Sequence, residues 1–93
     1  MKIGIVLAIE IDAIFTQFPN VKEIASDISF KVYKTNLNQH EIYIIITGVG
    51  MVYASIGTQY LISKHHVELI LNYGVVGALK EEIAKFIKSK LEN

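Results

Sequence analysis

The chain has 93 residues, enough for one small domain with a lean core. Its formal net charge is zero and all nine basic residues are lysine, so it has no basic field to hold nucleic acid and no guanidinium fork for phosphate. The absence of cysteine excludes disulfides, thiolate metal sites and a cysteine nucleophile, and a 52% hydrophobic content leaves apolar surface for another chain or another copy to cover.

Residues 2–8 (KIGIVLA) read as a short buried strand. The apolar run ends at Glu10 and Asp12, too early for a membrane span or a signal peptide, so a soluble, cytoplasmic protein with no membrane partner is expected. Ile11, Ile14, Phe15 and Phe18 recur at helical spacing, and Pro19-Asn20 stops that helix. Residues 21–27 read as a polar connection. Residues 28–35 (ISFKVYKT) alternate, which predicts a half-exposed strand, and Asn36-Leu37-Asn38-Gln39 is a turn by composition. The strand that follows from His40 pairs back as a hairpin.

That strand carries Ile42, Tyr43, Ile44, Ile45 and Ile46, a nearly continuous apolar run that predicts burial on both faces. Thr47-Gly48-Val49-Gly50 breaks it, and a helix is predicted over residues 51–64. A glycine turn between a buried strand and a helix N-terminus gives a ligand close access to backbone and to unpaired N–H groups. His65-His66 ends the helix. Adjacent helical residues point about 100° apart, so the pair reads as structural or solvated rather than as a metal site. Residues 67–72 (VELILN) predict another strand, followed by a second glycine turn. Residues 80–92 predict an amphipathic helix with Ile83, Phe86, Ile87 and Leu91 on one face. The order β-α-β-β-α-β-α predicts an α/β fold: three layers, with a mixed, mainly parallel sheet between flanking helices.

Three segments in register, KIGIVLAIEID from Lys2, TGVGMVYASIG from Thr47 and NYGVVGAL from Asn72, resemble the N-terminal half of the nucleoside phosphorylase/nucleosidase superfamily. Within it, the match is to the 5′-methylthioadenosine/S-adenosylhomocysteine nucleosidases and covers residues 1–79. The resemblance implies a homodimeric fold that uses water to cleave the N-glycosidic bond of adenine nucleosides, with no cofactor and no metal. It puts the water-activating carboxylate on Asp12, where the family has glutamate, with Glu10 as its neighbour. It puts substrate contacts on Ile9, on the turn Gly48, Val49 and Gly50, and on the turn Gly74, Val75, Val76 and Gly77. Valines at the second turn and the lack of arginine favour hydrolysis over phosphorolysis.

The family's ribose-holding glutamate and purine-protonating aspartate lie beyond the span that residues 1–79 match. Impaired catalysis is therefore the expectation, and a non-catalytic nucleoside-binding or self-associating module is the alternative. One domain is expected, with residues 1–79 family-like and residues 80–93 a closing helix. Val52, Tyr53, Ile56, Tyr60 and Ile62 exceed what one face of the middle helix needs, which predicts a homo-oligomer.

Overall fold

In a computed structural model of the chain, residues 1–8, 18, 20–73 and 89 are described. They form strands β1 (Lys2–Leu7), β2 (Lys22–Ile24), β3 (Lys31–Leu37) and β4 (His40–Ile46), helix α1 (Met51–His65), and strand β5 (Leu69–Tyr73). The strands make one mixed sheet in the order β2-β3-β4-β1-β5. β1 pairs in parallel with both β4 and β5, while β3 pairs antiparallel with β2 and β4. The α/β class expected from the sequence is the class observed. The predicted helix within residues 11–18, the second glycine turn and the predicted helix over residues 80–92 lie outside the described residues, Phe18 and Ser89 excepted.

Period-two alternation divides the central strands between two cores. Ile3, Ile5 and Leu7 of β1 align with Ile42, Ile44 and Ile46 of β4, and this face packs with Phe18. Val6, Tyr43 and Ile45 point to the other face, where Leu61 of α1, Val32 and Val67 join them. Ile42, Ile44 and Ile45 are fully buried, which accounts for an apolar run without alternation. Burying each such side chain is worth about 1.5–3 kcal/mol.

α1 lies on the Val6–Ile45 face. Gly57 and Leu61 are buried and Ala54 is half-buried, a stripe at three- and four-residue spacing. A Cβ at Gly57 would collide with the Thr47 methyl, so glycine here lets the helix backbone come down onto the end of β4. His66 closes the helix in the left-handed conformation, φ 57°, with its N–H donating to the Ile62 carbonyl at 3.1 Å.

Several boundaries differ from the sequence expectation. The second predicted strand begins at Lys31 rather than residue 28, because Ser26 Oγ accepts from the Ile28 N–H at 3.2 Å and bends the chain first. β3 is half-exposed as expected, with only Val32 and Thr35 buried, although it lies between β2 and β4 in the sheet. The polar connection over residues 21–27 contains β2, which pairs with β3 alone among the described residues. The strand expected from residue 67 begins at Leu69.

Candidate functional site

The parallel strands β4, β1 and β5 all end on one side of the sheet, where open α/β sheets hold their ligands. A hollow of about 230 Å³ lies there, lined by Val6, Ala8, Thr47, Gly48, Val49, Gly50, Met51, Ala54 and Asn72. The predicted Gly48-Val49-Gly50 turn thus forms one wall. The ends of β1 and β5 and the first turn of α1 form the rest. A second hollow of about 290 Å³ shares Met51, Ala54 and Asn72 with the first and continues along α1 past Ser55 and Thr58.

The turn's shape follows from its two glycines. Gly48 has φ 84° and Gly50 has φ 129°, both in the range that side chains disfavour. Gly50 is the N-cap of α1, with no side-chain capping bond and no acidic residue in the first turn. Its carbonyl accepts from the Ala54 N–H at 3.1 Å, which starts the helical ladder. The first N–H groups of α1 are therefore uncompensated by any side chain among the described residues.

Thr47 anchors the turn. Its N–H donates to the Leu7 carbonyl at 2.9 Å, extending the β4–β1 ladder by one bond. Its hydroxyl lies 3.1 Å from the Gly48 carbonyl oxygen and 3.5 Å from that of Leu7. Thr47 is buried, whereas Val49 and Met51 stand exposed on either side of Gly50.

No ionisable side chain lines the first hollow among the described residues. What these residues offer is shape, backbone polarity, the Thr47 hydroxyl and the Asn72 carboxamide. Such a wall orients a neutral, partly apolar ligand and supplies no proton transfer of its own. Ile9, Glu10, Asp12, Gly74, Val75, Val76 and Gly77, all expected at the site, lie outside the described residues. Among the described residues no group of three His, Asp or Glu side chains could hold a metal ion, and no helix is long and apolar enough to cross a membrane.

Val6, Ala8, Ala54 and Asn72 were not singled out by sequence reasoning. Position was the available signal. Each parallel strand's last residues face its C-terminal edge, so the ends of residues 2–8 and 67–72 were candidates once those strands were read as parallel.

The phosphorylase superfamily profile matches residues 2–86. The 5′-methylthioadenosine/S-adenosylhomocysteine nucleosidase of Buchnera aphidicola subsp. Schizaphis graminum is 33% identical over 85 residues, covering 85% of this chain and 34% of that protein. The fold superposes on the Streptococcus pyogenes S-adenosylhomocysteine nucleosidase in complex with 5-methylthiotubericidin, with TM-score 0.70, 26% identity, and coverage of 77% of this chain and 31% of that one. It superposes likewise on a Helicobacter pylori MTAN mutant with 5′-methylthioadenosine in its active site, with TM-score 0.72, 28% identity, and coverage of 83% and 34%. The chain spans about a third of the length of the curated relatives it matches. A family profile that runs through nearly the whole described region, together with the shared sheet and glycine turn, means that the chain belongs to the phosphorylase superfamily.

Proposed function

We propose that the chain acts on adenine nucleosides of the methylthioadenosine and S-adenosylhomocysteine type, and that its chemistry is hydrolysis of the N-glycosidic bond. The observation that carries this reading is the hollow at the C-terminal edge of β4, β1 and β5, walled by Gly48, Val49 and Gly50. Relatives that share this part of the fold include nucleosidases crystallised with methylthio-nucleoside ligands. In this reading Asp12, with Glu10 beside it, activates the water. Ile9 and the turn Gly74, Val75, Val76 and Gly77 complete the substrate contacts. Hydrolysis needs a base beside the water, and since the described wall holds none, this reading assigns that role to Asp12.

The second reading is a module that binds the nucleoside, or associates with its own copies, without turning it over. Cleavage of a glycosidic bond also needs a group to protonate the purine and a group to hold the ribose. General acid–base assistance is worth roughly 10²–10⁴-fold for each such group.

Incubation with 5′-methylthioadenosine and measurement of free adenine tests the reading, with Asp12→Asn as control. Adenine release that disappears in Asp12→Asn supports hydrolysis. A rise in melting temperature with the nucleoside, but without release, supports binding alone. Neither response rules out both.

A further inference from the structure

The turn that walls the hollow contains a peptide whose orientation is not fixed by the helix or by the sheet. Gly48 and Gly50 both have positive φ, and the peptide between Gly48 and Val49 lies between the last ladder bond of β4 and the first of α1. Without a Cβ at Gly48, rotation of that peptide meets little steric resistance, and nothing lies within 4 Å of where the Cβ would stand. The contact the structure does show for it is the Thr47 hydroxyl, 3.1 Å from the Gly48 carbonyl oxygen. Thr47 itself cannot turn freely. It is buried, its N–H is bonded to Leu7, and its methyl rests where α1 passes at Gly57.

In a planar trans peptide the carbonyl and the N–H point in opposite directions. Holding the Gly48 carbonyl against Thr47 therefore turns the Val49 N–H away from it. A rotated peptide would exchange a donor for an acceptor in the wall of the hollow.

We propose that Thr47 is a positioning residue: its hydroxyl locks the Gly48–Val49 peptide so that the site presents the Val49 N–H to an acceptor oxygen of the bound nucleoside. This rests on the nucleosidase reading for the ligand but not for the lock. The threonine has two separable duties. Its methyl packs the helix against the sheet, and its hydroxyl sets the polarity of the turn. Valine keeps the first and removes the second, whereas serine does the reverse.

The test is calorimetric titration of the full chain with 5′-methylthioadenosine in the wild type, Thr47→Val and Thr47→Ser. The residual dipolar coupling of the Val49 N–H, which reads the orientation of that peptide, is measured alongside. In Thr47→Val the dissociation constant is expected to rise roughly tenfold, and in Thr47→Ser to stay within about threefold, even where serine melts lower than valine. The Val49 coupling should change with valine and not with serine. If Thr47→Val does not fold, the pair Thr47→Ser and Thr47→Ala makes the same comparison with the methyl absent from both. Equal affinity and an unchanged coupling in the hydroxyl-free variant overturn the proposal. If the wild type binds no 5′-methylthioadenosine, the nucleoside reading fails, and the coupling alone then decides whether the lock exists.

Discussion

The imidazole of His65 lies flat on the ring of Tyr43, with centroids 4.4 Å apart and planes 20° apart. Tyr60 meets the same imidazole edge-on at 5.8 Å, and Lys34 sits 5.5 Å from the Tyr43 centroid. The last turn of α1 is thus pinned to β4 by a ring stack. Burial in that stack lowers the His65 pKa from its ordinary 6.5, and Lys64, Lys34, His66 and Lys2 push in the same direction. The folded chain therefore holds His65 neutral where the unfolded chain would protonate it. Above about pH 6.5 neither state carries the charge, and His65 adds no pH dependence. As pH falls below that, the unfolded chain takes up the proton first, and stability declines until the pH has passed the lowered folded value. Urea unfolding at pH 7.5 and pH 5.5 should show this loss, and His65→Phe, which keeps a ring on Tyr43, should flatten it. An equally steep loss in His65→Phe would assign the effect to other groups.

Gly57 brings the backbone of α1 against Thr47, whose methyl a Cβ at that position would strike. Alanine normally strengthens a helix interior by up to about 1 kcal/mol relative to glycine. Here the added Cβ meets a β-branched side chain anchored to backbone, and overpacking of that kind costs about 1–3 kcal/mol. Gly57→Ala should therefore destabilise the chain despite its better propensity. Thr47→Ser removes the opposing methyl, so the double variant should recover about 1 kcal/mol relative to the sum of the single changes, as a double-mutant cycle measures. Strict additivity would mean that the helix can shift without cost.

These two contacts show which parts of the molecule were legible in the sequence. β1 and β4 could be read directly, since Ile3, Ile5, Ile42, Ile44 and Ile45 leave no polar face to expose. β2 could not, because Lys22, Glu23 and Ile24 carry little apolar signal, and their pairing is set by Tyr33 and Val32 on the partner strand. The start of β3 was misplaced because Ile28 and Phe30 continue its alternation, although the Ser26 bend has already taken them out of the ladder. The glycine turn announced itself at the site. The convergence of Val6, Ala8 and Asn72 on that turn did not, because it depends on β1 lying between β4 and β5, a fact of strand order that no local spacing encodes.

The two glycines of the turn should respond unequally to alanine. Gly50, at φ 129° and ψ 142°, occupies a region that is nearly glycine's alone, and it also begins α1 through its carbonyl bond to the Ala54 N–H. Gly48, at φ 84° with open space around it, lies nearer the left-handed region that other residues can enter. Gly50→Ala should cost about 1–3 kcal/mol and Gly48→Ala less, on the scale of strained backbone positions. For a domain of this size each kcal/mol lowers the melting temperature by roughly 4–8 °C, so differential scanning calorimetry separates the two. An equal or reversed order would show that the turn relaxes around Gly50.

The outward face of α1 remains apolar where most surface helices are polar. Met51 is 87% exposed, Val52 71% and Ile56 45%, with Tyr53 and Ile62 also open. Tyr60, counted with them from the sequence, is instead half-buried, and its hydroxyl accepts from the Asp27 N–H at 3.1 Å. Four of the five predicted side chains therefore stand free of the monomer's own core. The inner stripe of Ala54, Gly57 and Leu61 already holds the helix to the sheet, so the outer residues contribute little to the fold of one copy. In the self-associating reading proposed above, a second copy covers them. Sedimentation at micromolar concentration should give a species of twice the chain mass. Val52→Glu combined with Ile56→Glu should weaken association on the order of a hundredfold, since two buried apolar contacts become charges facing each other. Neither change touches the core, and glutamate suits both the helix and its first turn, so circular dichroism should be unaltered. A wild type that sediments as one chain would leave this face without the proposed partner.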